Sequence, residues 1–183
     1  MVDAPERRAL RQIKSARLNI IAGTTDLINE GIESRDQLAE ALDVQVPDSW
    51  PPDLYGPGAM RFALQQLGDP AENGWSFWYL VTAQAPNQLI GICGFKGRPD
   101  EQGSVEIAYS VLDDFRQQGF ATEAVAALVA WAFSHFNVKE VCAETLPHLR
   151  QSIRVLEKNG FGFSGPGSEA GVVRYALRRS SRN

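Results

Sequence analysis

Histidine and cysteine are scarce in this sequence, with two of each among 183 residues. His135 and His148 share no metal-ligand spacing with Cys93 and Cys142, so no metal site is expected. Two histidines also leave little support for a Ser-His-Asp hydrolase, and His135, after an apolar helical run, reads as a helix-end residue. Both cysteines lie in apolar strand-like runs, which points to reduced thiols in the core of a cytoplasmic protein. No apolar run is long enough to cross a bilayer and no signal-peptide pattern opens the chain, so no membrane partner is expected. Positive charge is not in excess: the net charge is −4, and no nucleic-acid partner is expected. Two familiar phosphate loops are missing, since GxxxxGK[ST] does not occur and no GxGxxG follows the first strand.

What remains is ordinary globular composition, 44% hydrophobic and 22% charged, in a chain long enough for one domain spanning 1–183. Basic residues gather in ERRALRQIKSAR (Glu6–Arg17) and RRSSRN (Arg178–Asn183). Residues 1–15 read as a basic extension and 179–183 as a polar tail. ARLNIIAG (Ala16–Gly23) reads as a first strand. TTDLINEGI (Thr24–Ile32) opens on capping residues, and SRDQLAEAL (Ser34–Leu42) carries a capping box in Ser34 and Gln37; both predict helices. Prolines and glycines make VPDSWPPDLYGPG (Val46–Gly58) a loop. A third helix, Ala59–Gly68, ends on glycine.

Strands follow at Trp75–Gln84 and Gln88–Gly97, joined as a hairpin, and at Ser104–Leu112. Gly91, Gly94 and Gly97 fit bulges or close packing there. Then come a long apolar helix over about 119–136, a strand Val138–Leu146, a helix Ser152–Gly160, the short strand-like FGFSG, and a last strand Gly171–Arg179. The order β-α-α-α-β-β-β-α-β-α-β-β predicts an α/β (α+β) domain with a mixed sheet and helices on its faces.

The stretch RQQGFA (Arg116–Ala121) sits where a strand gives way to a helix. The first N–H groups of a helix have no internal partner and lie at the positive end of its dipole, so they attract phosphate. Gly119 lets an anion approach the backbone, Ala121 is the next-smallest choice, and Arg116 adds a permanent cation. The stretch is expected to hold a phosphate or pyrophosphate.

VEIAYSVLDDFRQQGFATEAVAALVAWAF followed by VCAETLPHLRQSIRVLEKNGFGF resembles the GNAT N-acetyltransferases, and within them the branch of ribosomal-protein N-terminal acetyltransferases. Arg116, Gly119 and Ala121 match the family's [QR]-x-x-G-x-[GA], and ATEA (Ala121–Ala124) continues it as in that branch. Ser152, Leu156, Glu157, Lys158, Gly160 and Phe161 match S-x-x-x-L-E-K-x-G-F. The likeness runs from about Trp75 to Phe163. It implies a mostly antiparallel sheet of six or seven strands with two central strands splayed apart. It implies acetyl-CoA as co-substrate, an amine acceptor, direct acetyl transfer with no covalent enzyme intermediate, and a monomer or homodimer. The pantetheine arm would lie along Tyr109, Ser110, Val111 and Leu112, and the pyrophosphate on the N–H groups of Gln117, Gln118, Gly119, Phe120, Ala121 and Thr122 beside Arg116.

Transfer to an amine needs a base, because only the free amine attacks. Glu106 is the first candidate; it alternates with Val105 and Ile107 and so faces away from them, into what is expected to be a partly apolar cleft. Glu144 is the second. Where the family usually has an acidic tyrosine stands Leu156, leaving Ser152 as the available hydroxyl, with Tyr109 and Tyr175 as others that could reach the cleft. Where relatives often carry Asn stands Leu149, flanked by His148 and Arg150. These two departures keep open an alternative, a non-catalytic acyl-CoA-binding sensor of the same fold. Trp50, Tyr55, Asp48 and Asp53, with the acidic turn Asp100–Gly103, are candidates for meeting a cationic acceptor.

Overall fold

The computed structural model describes residues 10–180, apart from Leu54 and Asn73. It contains eight strands: β1 Gln12–Lys14, β2 Leu18–Ala22, β3 Trp78–Thr82, β4 Leu89–Phe95, β5 Ser104–Val111, β6 Glu140–Thr145, β7 Gly162–Pro166 and β8 Val173–Arg178. Five α-helices accompany them: α1 Thr25–Glu33, α2 Arg35–Leu42, α3 Pro57–Leu67, α4 Phe120–Ser134 and α5 Arg150–Lys158. The strands form one sheet in the order β1-β2-β3-β4-β5-β6-β8-β7. Every neighbouring pair is antiparallel except β5 and β6.

Alternation decides which side each side chain takes. In and beside β3, Trp78 and Leu80 join one core, with Ile20, Val105, Ile107 and the apolar face of α4; Phe77, Tyr79 and Val81 join the other, with Leu27, Ile28 and Leu38 of α1 and α2. A sheet covered on both faces must be apolar on both, and β4 is buried along its whole length. Its Gly91 is required by close approach: a Cβ there would lie 2.4 Å from Ser110 O. The register between β3 and β4 also shifts beside it, between Leu80 and Val81.

Helix starts follow the expected chemistry. Thr24 accepts from Leu27 N and Ser34 from Gln37 N, each as an N-cap. The stretch 46–58, expected to be loop throughout, gives up its last two residues to α3, where Pro57 takes the first helical position and needs no N–H partner. Cys93 and Cys142 are free and buried. His135 caps the C-terminus of α4 and packs on Trp131 and Trp75 at 4.5 and 5.0 Å between ring centroids.

Among the described residues eight strands are present where six or seven were expected. The additional one is β1, in the stretch 1–15 read as an extension, paired with Asn19–Ile21 of β2. Three residues are too few to show a period. Residues 1–9 and 181–183 of the two basic ends lie outside the described residues. Among the described residues no helix is long and apolar enough to cross a membrane, and no group of His, Cys, Asp and Glu is placed to hold a metal ion.

The consequence of this layout for a site is a slot in the sheet. β5 pairs with β6 only from Ser104–Glu106 to Glu140–Cys142, after which the two strands part.

Candidate active site

Backbone groups line the slot. Leu112 donates to Ile90 O and Lys96 donates to Glu106 O, so the even-numbered residues of β5 direct their backbone groups at β4. Tyr109 and Val111 therefore point their N–H groups the other way, where no strand pairs with them among the described residues. An extended ligand with amide groups of its own fits such an edge.

At the far end of β5 the chain passes through a 3-10 turn, Asp113–Phe115, into the loop before α4. Gln117 (φ 61°) and Gly119 (φ 84°) are both left-handed. Gly119 is the N-cap and has no side chain to cap with. No hydrogen bond among the described residues takes up the N–H groups of Gln117 through Thr122. These donors, at the positive end of a fifteen-residue helix, are free for an anion.

Arg116 is partly committed elsewhere. Its Nε donates to Val111 O at 3.0 Å, and its guanidinium pairs with Asp113 at 2.7 Å and Asp53 at 3.1 Å. A second arginine stands at the loop, and nothing local in the sequence announces it. Arg17, just before β2, donates from Nη1 to Gln118 O at 2.9 Å and from Nε to Glu123 Oε2 at 2.7 Å, and it lies 4.6 Å above the Phe120 ring. Its Nη2 is 3.2 Å from where a Cβ on Gly119 would be.

Glu106 sits at the other end of the slot, in the last pair before β5 and β6 part, opposite Cys142. Val105 and Ile107 are buried in the core under α4, so Glu106 faces the α1–α3 side. Its carboxylate is half-buried and ion-paired with Lys96. A cavity of about 180 Å³ opens beside it, lined by Lys96, Arg98, Asp100, Ser104, Cys142 and Arg174 among others. These surroundings are charged and polar, in contrast to the partly apolar cleft expected from sequence. Burial pushes the Cys142 thiol up, so it is a neutral wall of this cavity.

Glu144 is differently placed. Ser168 donates to it twice, from its backbone N at 2.9 Å and its hydroxyl at 2.7 Å, and Arg174 lies 4.0 Å away. The hydroxyl hydrogen bond above all holds this carboxyl below its ordinary value.

On the opposite face, the Tyr109 hydroxyl lies 3.2 Å from both Ser152 Oγ and Ser152 O, joining β5 to α5. Burial pushes the Tyr109 phenol up to about 12, against the opposing pull of its bond to Ser152, so it keeps its proton at neutral pH. Ser110, on the Glu106 side, donates from Oγ to Asp53 O at 2.9 Å. Leu112 is buried. Leu156 is fully buried in the core, and Leu149 is the N-cap of α5, with no side-chain hydrogen bond. His148 and Arg150 beside it are exposed. Tyr175 is buried edge-on against Phe163.

The residues expected to meet an acceptor are mostly used within the fold. Trp50 packs on Tyr79 and Tyr55 on Phe77. Asp48 pairs with Arg35, and the Asp100 carboxylate accepts the N–H groups of Gln102 and Ser104. Asp53 joins the loop before α3 to Arg116.

Comparison with known proteins matches this architecture. An acetyltransferase (GNAT) domain model covers residues 34–162. YjdG, an uncharacterized N-acetyltransferase of Bacillus subtilis, is 25% identical over 149 residues, 81% of this chain and 88% of its own. Protein p20 of Bacillus licheniformis, likewise an uncharacterized N-acetyltransferase, is 29% identical over 57% of this chain and 59% of its own. Among solved structures, RimL, a ribosomal alpha-N-protein acetyltransferase in complex with coenzyme A, aligns with a TM-score of 0.67 at 17% identity, covering 92% of this chain and 98% of its own. The microcin C7 self-immunity acetyltransferase MccE, in complex with acetyl-CoA and AMP, aligns at 0.63 and 13% identity over 90% of this chain and 94% of its own. At such identities the solved structures speak for the fold. The family model, spanning well over half of the chain, says more: this protein belongs to the GNAT acetyltransferases.

Proposed function

We propose that the protein is an acetyl-CoA-dependent N-acetyltransferase that acts on a primary amine, a protein N-terminus or a small-molecule amine. The observation that carries this reading is the slot itself: an unpaired strand edge ends in unclaimed helix N–H groups on one side and in Glu106 on the other. Acetyl-CoA fits it chemically, since its amide-bearing arm suits the edge at Tyr109 and Val111 and its pyrophosphate suits the donors of Gln117–Thr122. When bound it supplies an activated acyl group.

The chain's own groups handle the protons. Glu106, ion-paired with Lys96, takes the proton that an ammonium acceptor must lose, directly or through one water. Tyr109 and Ser152, each within 3.2 Å of the other, hold hydroxyl protons on the other face of the slot, where a leaving sulfur needs one. They take the place of the hydroxyl that Leu156 lacks. Glu144 is held by Ser168 and Arg174 and is assigned a structural role.

Glu144→Gln accordingly tests stability. Its folded carboxyl lies below the unfolded value, so the stabilisation is present above the unfolded pKa and is lost as the pH falls through the folded one. The variant is expected to flatten the acid limb of stability against pH, followed by thermal unfolding, and to leave turnover unchanged. Loss of turnover with stability intact would return Glu144 to the role of base.

The direct test of the reading is thiol release from acetyl-CoA with peptides of varied N-terminal residue, polyamines and amino acids, with mass spectrometry of the product. Release that depends on the acceptor, with one acetyl group gained on its nitrogen, is the expected result. Tight CoA binding without release for any acceptor would favour the non-catalytic acyl-CoA-binding alternative, for which the uncapped Leu149 at the start of α5 is the motivating observation.

A further inference from the structure

The cofactor loop carries an apparent contradiction. Glu123 is in the first turn of α4, where a carboxylate occupies the same positive potential that a phosphate would use. It is charged: burial pushes its carboxyl up, but hydrogen bonds from Ser15 and Arg17 outweigh that and hold it below the ordinary value. A negative charge one turn from the donors of Gln117–Thr122 should repel the ligand they are arranged to bind.

The turn between β1 and β2 resolves this. Glu123 Oε1 accepts from the Ser15 hydroxyl and from Arg17 N, both at 2.7 Å, and Oε2 accepts from Arg17 Nε at 2.7 Å. Arg17 thus holds both carboxylate oxygens, Oε1 with its backbone N–H and Oε2 with Nε in a charge-assisted bond. Its Nη1 also donates to Gln118 O at 2.9 Å, which ties down the peptide between Gln118 and Gly119. Arg116, the arginine of the motif, shares its charge with Asp53 and Asp113. We propose that Arg17 is a positioning residue for the phosphate loop: it cancels the charge of Glu123 and pins Gln118, so that the start of α4 presents positive potential to the pyrophosphate. This inference rests on the acetyl-CoA reading above.

The test is calorimetric titration with CoA, dephospho-CoA and pantetheine of four proteins: the wild type, Arg17→Ala, Glu123→Gln and the double variant. Arg17→Ala is expected to weaken CoA and dephospho-CoA by about tenfold, the size of one charge-assisted contact, and to leave pantetheine unchanged. Glu123→Gln, which removes the charge that Arg17 cancels, is expected to bind CoA at least as well as the wild type. The double variant is expected to regain most of the affinity, the coupling that marks a shared pair. Thermal unfolding of each accompanies the titrations, and the double variant carries the test even where Arg17→Ala alone folds poorly. Arg17→Ala that binds like the wild type, or a double variant as weak as Arg17→Ala, would overturn the proposal. So would a loss confined to CoA, which would place the effect on the terminal phosphate away from the loop. A folded wild type that binds no CoA would instead overturn the acetyl-CoA reading itself.

Discussion

Glu106→Gln is expected to bind acetyl-CoA as the wild type does and to lose about 10²- to 10⁴-fold in kcat, the share that a positioned general base contributes. The substitution keeps the shape of the side chain and its place in the last pair of β5 with β6, and it replaces the carboxylate by an amide that does not take up a proton. Lys96 loses its partner, but it is more than half exposed and water takes up its charge. Stability should therefore change little, and the effect should fall on kcat more than on the KM for acetyl-CoA, since Glu106 lies on the face of β5 opposite Tyr109. Raising the pH should recover part of the lost rate, because an acceptor amine that is already deprotonated needs no base. Initial rates from pH 6 to 10 with one competent acceptor would check this. A variant with wild-type kcat would remove Glu106 from the mechanism.

Gly119→Glu is expected to abolish CoA binding, with affinity falling by about a hundredfold or more. Two causes act together. At φ 84° any side chain is strained, at about 1–2 kcal/mol, and the new Cβ would stand 3.2 Å from Arg17 Nη2. The added carboxylate also places a negative charge among the donors of Gln117–Thr122, where the dipole of α4 otherwise favours an anion. Titration with CoA measures the loss, and thermal unfolding measures the strain separately. A variant that folds and binds CoA normally would show that the phosphates lie elsewhere.

The parts of the site that were legible in the sequence are those set by local geometry. Gly119 could be picked out because a helix start without a capping side chain is a local feature, and the outward face of Glu106 followed from its alternation with Val105 and Ile107. The element order was readable for the same reason, apart from the three residues of β1. What escaped notice depends on contacts across the fold. Arg17 meets Glu123 over 106 positions, Arg116 meets Asp53 over 63, and Tyr109 meets Ser152 over 43. No periodicity encodes such pairs. The polar surroundings of Glu106 were missed similarly, because Lys96, Arg98 and Arg174 come to it from the end of β4, the loop that follows and β8. Tyr55 and Trp50 looked available for an acceptor because a loop rich in proline and glycine hides which of its side chains turn inward.

The slot between β5 and β6 has a mechanical side. Five strands on one flank and three on the other are held in one sheet by three residue pairs at a single end, so the sheet resembles a zip left mostly undone. A ligand seated along the β5 edge would fill the open part of this seam, and it would brace the smaller flank against the larger. Backbone amides of β6 and β8, far from any phosphate, should then exchange with deuterium more slowly once CoA is bound, because sub-global opening of that flank is suppressed. The same seam lets one sheet be joined at a single end, beside Glu106, and stay open along the rest of its length.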